Sequence, residues 1–354
     1  MKTTYKAHGS LLIIISFFCA FILIAYSDDV ADAVKNSINI CTEVIVPSMF
    51  PLLFISYLCI NQGIPDKLKK MLHSPLCAIF GLSGNCAEAI ITGLCGGYNT
   101  AVKTASALYS QGKITKSEAQ RLAVFFTSPG LSFCINIAGN AICRSTLTGV
   151  SFFASSLISS VTSAAIYNAF RKNSISKCTT TPHQSVSVSL VKSIEHSSSA
   201  MLSVCFSIVL FSGFSAVIVK LLPGNTLAEL WRFFGEVTSG VMFSAKQFPL
   251  YITAFCLTFG GICIFFQQLT DIVSFDLSAT VFLISRLCIS VFSAAINLIL
   301  TSVLRISTPV FAEKSDIHLY SHSPMGAAAL LFLCAVFLIN MMNTLSSVRQ
   351  RQNN

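Results

Sequence analysis

Residues 76–97 read LCAIFGLSGNCAEAIITGLCGG, and their reading decides how the rest of the chain is understood. The stretch is apolar enough for a bilayer, yet Gly81, Ser83, Gly84 and Asn85 interrupt it and Glu88 sits inside it. Backbone released from a helix in hydrocarbon finds no water to bond, so such breaks persist only where protein or a wet cavity surrounds them. A carboxylate at that depth is expensive and is a functional-site hypothesis by default. Broken apolar segments carrying an ionisable group are how carriers build a binding site near the bilayer midplane. The stretch reads as a re-entrant helical hairpin and the chain as a carrier or channel, not an enzyme.

The composition agrees. Of 354 residues 53% are hydrophobic, only 10% are charged, and 29 are Phe; the mean hydropathy is +0.73. A soluble domain carries roughly 25% charged residues. The net charge of +9 is spread over short loops, which fits membrane topology rather than nucleic-acid binding. The fourteen cysteines fall mostly inside apolar runs, form no C-x-x-C pair and have no His-rich partner, so they read as small buried hydrophobes and not as zinc ligands or a disulfide framework. No metal and no cofactor is expected.

Outward from the opening stretch, the apolar runs predict an all-α integral membrane protein of about eight transmembrane helices plus the hairpin. The expected spans are 11–26, 44–60 with Pro47 and Pro51 in its first half, 121–142, 147–170, 201–222, 248–266, 277–303 and 325–342. Lysines before the first run and basic loops at 67–70 and 171–177 place both termini in the cytoplasm. The first run reads as a retained signal-anchor helix, 223–246 as a polar-edged external segment and 186–199 as an amphipathic one. The organisation expected is a signal anchor and external segment (1–43), a first membrane repeat (44–170), a basic linker with the amphipathic helix (171–199), a second repeat (200–304) and a terminal region (305–354).

Within these runs the breaks carry the chemistry. Exposed N–H groups at a half-helix N-terminus attract anions, and carbonyls at a C-terminus attract cations. Ser128-Pro129-Gly130 offers both ends within one turn: Pro129 suits the first position of a restarting helix, Ser128 suits its cap, and Asn136 and Asn140 then share a face. The alternative is a kink packed on its neighbours. Around Glu88, Asn85 and Thr92 form a polar stripe, against which stands a structural pairing of Glu88 with Lys103. Arg286 is the other deep charge, suited either to an anionic solute or to pairing with Glu236 or Asp271. Glu236, Thr238 and Gly240 echo Glu88, Thr92 and Gly93 in type but not in spacing, which suggests an inverted repeat with broken helices.

The run GLCGGYNTAVKTASALYSQGKITKSEAQRLAVFFTSPGLSFCINIAG (93–139) resembles the YlbJ-type (SpoVV) sporulation integral membrane proteins, which carry the nucleoside-recognition Gate domain. Gly97, Tyr98 and Lys103 keep that family's G-Y-P-x-G-A-K turn, and Ala107 to Gly112 with Glu118, Ala119, Arg121 and Leu122 continue it. VPSMFP (46–51), GEVTSG (235–240) and FGGICIFFQQ (259–268) resemble further family motifs, in the family's order over roughly 40–300. Asn99, Ala101 and Val102 depart from the turn, and Thr127-Ser128 replaces the family's Asn, changes that bear on substrate choice.

The resemblance implies a carrier of dipicolinic acid, a small aromatic dicarboxylate, in the mother-cell-derived outer forespore membrane of a sporulating bacterium. The partners expected are a small anionic solute and the lipid bilayer, with no nucleic acid. The candidate solute-binding residues are Asn85, Glu88, Gly97, Tyr98, Asn99, Lys103, Ser128, Pro129, Gly130, Asn136, Glu236, Thr238, Gln267 and Arg286. A nucleoside-like cargo and a non-transporting scaffold are the alternatives. The chain shows no H-E-x-x-H, G-x-S-x-G or phosphate-binding glycine loop.

Overall fold

A computed structural model describes residues 17–62, 65–170, 186–222 and 226–306, and the described chain is helical with no strand. Five helices are long and apolar enough to cross a membrane: Ser27–Leu58, Thr146–Phe170, Ser187–Leu221, Leu250–Val273 and Ala279–Val303. The pair Lys67–Phe80 and Gly84–Gly96, bent by 100° at its break, makes a sixth if it is taken as one span. This is the make-up of an all-helical, multi-pass membrane protein, but not of one with eight spans.

The difference in count has identifiable causes. The expected span 325–342 lies outside the described residues, and 11–26 is described only from residue 17, where a short helix α1 runs over 17–25. The expected span 121–142 is not one helix. Helix α7 (Lys116–Phe125) stops short, residues 127–130 are non-helical, and a wide-turned helix follows at Phe133–Ile142.

Two segments expected outside the membrane are instead continuous with spans. Helix α2 (Ser27–Ile40), with Asp28 and Asp29 in its first turn where the helix dipole favours them, runs through a wide turn at Cys41–Ile45 into α3 (Val46–Gln62). Pro47 has no N–H for the carbonyl four residues back, and the ladder widens there rather than breaking. Likewise 186–199 and 201–222 form one helix, α9 (Val186–Leu221), because no Gly or Pro separates them.

After α3 the chain turns into α4 (Asp66–Phe80), whose C-cap Gly81 is left-handed at φ +61°. Helices α5 (Ala87–Gly96) and α6 (Tyr98–Ser110) then fold back on each other: Thr92 Oγ1 lies 3.2 Å from Thr104 Oγ1. The hairpin is therefore real but displaced. Its tip is Gly96-Gly97, and the Gly81–Asn85 break expected within it is the corner leading in. Glu118, fully buried, holds that corner: it accepts N–H bonds from Ser83 and Thr115, both at 2.8 Å, and completes a capping box with Thr115 at the start of α7. The long helix α8 (Thr146–Phe170) follows the wide-turned helix.

The second part repeats this order. Long helix α9 leads to α10 (Thr226–Phe234) and α11 (Val237–Gln247), which form another hairpin with its tip at Gly235-Glu236. That hairpin replaces the external segment expected at 223–246. A broken span comes next, α12 (Leu250–Phe259) and α13 (Gly261–Val273), divided at Gly260, and then the long helix α14 (Ala279–Val303). Ser106 on α6 to Ser274 at 2.9 Å and Lys116 Nζ at the start of α7 to Asp276 Oδ2 at 2.8 Å tie these helices to the turn that follows α13.

Serines and an asparagine, not large apolar residues, line the seam between α8, α12 and α14. Thr258 Oγ1 lies 2.8 Å from Ser293 Oγ, and Asn297 Nδ2 donates to Ser151 at 3.3 Å. Small polar residues let helices approach closely in lipid, where packing and hydrogen bonds replace the hydrophobic drive.

Candidate solute site

The two hairpin tips and the two breaks meet in the interior. Gly97, at φ +83°, lies against the first break so closely that a Cβ added there would sit 2.9 Å from the Gly130 backbone nitrogen. Gly130 has the reciprocal contact, 2.9 Å to the nitrogen of Gly97. At the second tip, the N–H of Cys263 on α13 donates to the carbonyl of Gly235 at 3.0 Å. Gly97→Ala combines a left-handed backbone with a backbone clash, so it is expected to destabilise the protein by about 1–3 kcal/mol. A thermal melt of the purified protein checks this, and an unchanged Tm would mean that the tip has room to move.

Arg286 joins the two broken spans. Only 5% exposed, it donates from Nη1 to the carbonyl of Thr127 at 2.6 Å and from Nη2 to those of Thr258 at 2.9 Å and Phe259 at 2.5 Å. These are the C-terminal ends of the first halves of both breaks, where a helix leaves carbonyls unpaired and its dipole is negative. The guanidinium carbon stands 5.1 Å from the centroid of the Tyr98 ring, whose hydroxyl donates to the Leu257 carbonyl. Arg286 is thus occupied by backbone, and it pairs with neither Glu236 nor Asp271.

On the other side of the tips lies a mostly apolar cavity of about 640 Å³, a figure that counts the open space at its mouth. Tip residues Gly96 to Thr100 and Glu236-Val237 form its floor together with Gly130 and Phe133 of the first broken span. Cys263, Ile264 and Gln267 of α13 close one wall, while Met49 and Leu53 of α3 and Ala200, Val204 and Ile208 of α9 close the others. The N-terminal turns of α6, α11, α13 and the wide-turned helix therefore all border it.

Glu236 is the one charged side chain among the described lining residues. It is 6% exposed, and both its oxygens accept backbone N–H bonds at 2.8 Å, from Thr238 and Ser239. Two backbone N–H bonds at a helix N-terminus favour the charged form of that carboxylate. Asn99 Nδ2 donates to Gln267 Oε1, and Gln267 Nε2 donates to Cys263 Sγ at 3.3 Å. Asn99 Oδ1 is buried without a hydrogen-bond donor among the described residues.

Magnitudes decide the sign of the site. Each helix N-terminus is worth roughly 0.3–1 kcal/mol to an anion. A second negative charge about 5 Å from Glu236 meets a repulsion of roughly 3 kcal/mol at an effective dielectric constant of about 20. Glu236 already caps α11, so the three remaining termini together supply about 1–3 kcal/mol and the carboxylate equals or exceeds them.

The candidates named from the sequence thus separate. Gly97, Tyr98, Asn99, Gly130, Glu236 and Gln267 line the cavity. Ser128 and Pro129 lie in the break behind Gly130, where the helix resumes only at Leu131, so Pro129 is not its first residue. Thr238 stands in the first turn of α11, behind the tip. Asn136 donates to Ser132 Oγ at 3.3 Å while Asn140 accepts from Thr146, and neither is among the residues lining the cavity.

Lys103 lies one turn beyond Asn99, in electrostatic reach of Asp271 and not of Glu88. Asn85 and Glu88 are at the base of the hairpin, about 12 Å along the helix from its tip. There Asn85 donates to the Lys113 carbonyl at 2.8 Å, and Glu88 faces Lys69 at 3.8 Å. The residues that sequence reading missed are mostly apolar: Met49, Leu53, Val204 and Ile208 look like any lipid-facing position, and nothing local marks them.

No family model matches the chain, and comparisons with characterised proteins and with solved structures return no match either.

Proposed function

We propose that this protein is a membrane transporter that moves a small solute by alternating access around its two hairpin tips. The observation that carries the reading is the cavity itself: a space where two hairpin tips and two broken spans converge, with polar groups on one side and apolar walls on the other. Each half of the chain contributes a long helix, a hairpin that returns to its own side, a broken span and a second long helix. Counting α7 with the wide-turned helix as one broken span, in place of the bent α4–α5 pair, gives three crossings per half, so we read the halves as running through the bilayer in opposite senses. Inverted halves around a midplane site are what lets a carrier exchange inward-open and outward-open forms. A scaffold has no need of a solute-sized cavity at that place.

Two cargoes are in play. The resemblance to the YlbJ-type sporulation proteins supports dipicolinate, and with it a place in the mother-cell-derived outer forespore membrane. The cavity supports the second cargo, an uncharged nucleoside-like solute, because Glu236 lines it and no Lys or Arg does. The test reads both. Spores of a strain lacking the gene, with and without the wild-type copy restored, are assayed for dipicolinate. Loss restored by the wild type supports the dipicolinate cargo. Normal content removes that cargo and leaves transport to be read by access: Thr100→Cys, on the cavity floor, should react with an impermeant thiol reagent from either face of sealed vesicles. Reaction from neither face would sink the transport reading.

A further inference from the structure

We propose that the cavity selects its solute by the acidic side chain on its floor, Glu236, which accepts hydrogen bonds from the solute's donors, and that it therefore takes neutral or cationic solutes and rejects dianions. The inference deepens the transport reading and rests on it for its biological meaning, but the charge preference is a property of the cavity alone.

The charged side chain that the cavity offers to a ligand is an acceptor. Glu236 has its two oxygens on the N–H groups of Thr238 and Ser239, and a carboxylate has lone pairs left beyond those two bonds. The amide donors beside it are spent, Asn99 donating to Gln267 and Gln267 to Cys263. A solute with hydroxyl, amide or ammonium groups supplies donors to the remaining lone pairs, which a carboxylate cannot. The cations that would recruit a dianion are placed elsewhere. Arg286 is behind Tyr98 on three backbone carbonyls, and Lys103 is a turn deeper, beside Asp271. Apolar walls from α3 and α9 sharpen the effect, because charge is felt more strongly where water is excluded.

Cys263, on the cavity wall, is a built-in reporter. The purified full chain is treated with a cationic (trimethylammonioethyl) or an anionic (sulfonatoethyl) methanethiosulfonate, and modification is followed peptide by peptide. Each rate is divided by that of the same reagent with free cysteine. The corrected cationic-to-anionic ratio at Cys263 should be about tenfold or more, the range over which a lined cleft concentrates a counter-ion, while in the denatured chain it should be near one. In Glu236→Gln, which keeps an acceptor oxygen for the helix cap, the ratio should collapse. If that variant does not fold, wild-type protein with a competitor pair serves: pyridine-2,6-dicarboxamide should slow the modification, and pyridine-2,6-dicarboxylate, of the same shape, should not.

A ratio at or below one overturns the proposal, as does better protection by the dianion. So does a Cys263 that stays unmodified in the folded protein and reacts fully once the chain is denatured, because solutes then do not reach the cavity. A high ratio at a site reached from only one face of sealed vesicles would sink transport and leave the charge selection standing.

Discussion

Arg286→Leu should abolish most of the folded protein. The side chain is 5% exposed and satisfies three carbonyls from two separate breaks, Thr127 on one and Thr258 and Phe259 on the other. Each carbonyl stranded without a donor costs about 1–3 kcal/mol. Leucine's better burial offsets part of that, and about 3–5 kcal/mol of net loss remains, against a total stability of only about 5–15 kcal/mol. Arg286→Lys should be intermediate, since one ammonium cannot hold the fork geometry across two elements. The measurement is the monodisperse fraction and Tm in detergent. A variant that keeps its Tm and loses only transport would make Arg286 a cargo residue instead of the tie between the breaks.

Glu88→Gln is the second large effect. Lys69 is 1% exposed and Glu88 4%, and their charged atoms are 3.8 Å apart, a charge pairing rather than a hydrogen bond. Neutralising the carboxylate leaves the buried ammonium without its counter-charge, a loss of about 3–5 kcal/mol, whereas replacing both partners by apolar residues of similar volume is often close to neutral. The expected pattern is a marked drop in Tm for Glu88→Gln and for Lys69→Met, with most of it regained in Lys69→Met/Glu88→Leu. Additive losses in the double variant would show that the pair does not interact, and an undiminished Tm in Glu88→Gln would return Glu88 to the list of transport groups.

These two residues show how far the sequence can be read. Both were visible as charges inside apolar runs, which is a statement about depth and needs no partner. Their roles were not visible. Lys69 sits in a basic cluster that reads as a solvated cytoplasmic loop, and only the 100° corner after Phe80 brings α4 over the base of the hairpin. The partners of Arg286 are 159, 28 and 27 residues away. The echo between the halves was likewise heard at the wrong place. Glu88, Thr92 and Gly93 lie before the first tip, whereas the second tip, Gly235-Glu236-Val237-Thr238, corresponds to Gly96-Gly97-Tyr98-Asn99. Residue type alone aligned the acids, and hairpin geometry aligns the glycines.

By itself the sequence determined that the chain is an apolar, helical membrane protein and where its helices must be interrupted. Those properties are local: run length, the missing N–H of proline and the positive φ that Gly81, Gly97 and Gly260 adopt are set within a few residues. Only the tertiary structure decided which breaks meet, which charges are spent on backbone and which apolar side chains face a cavity instead of lipid. In a membrane those choices leave no local mark, because a leucine against lipid and a leucine against a solute site satisfy the same hydrophobic pattern, and the helix contacts that tell them apart join residues far apart in the chain.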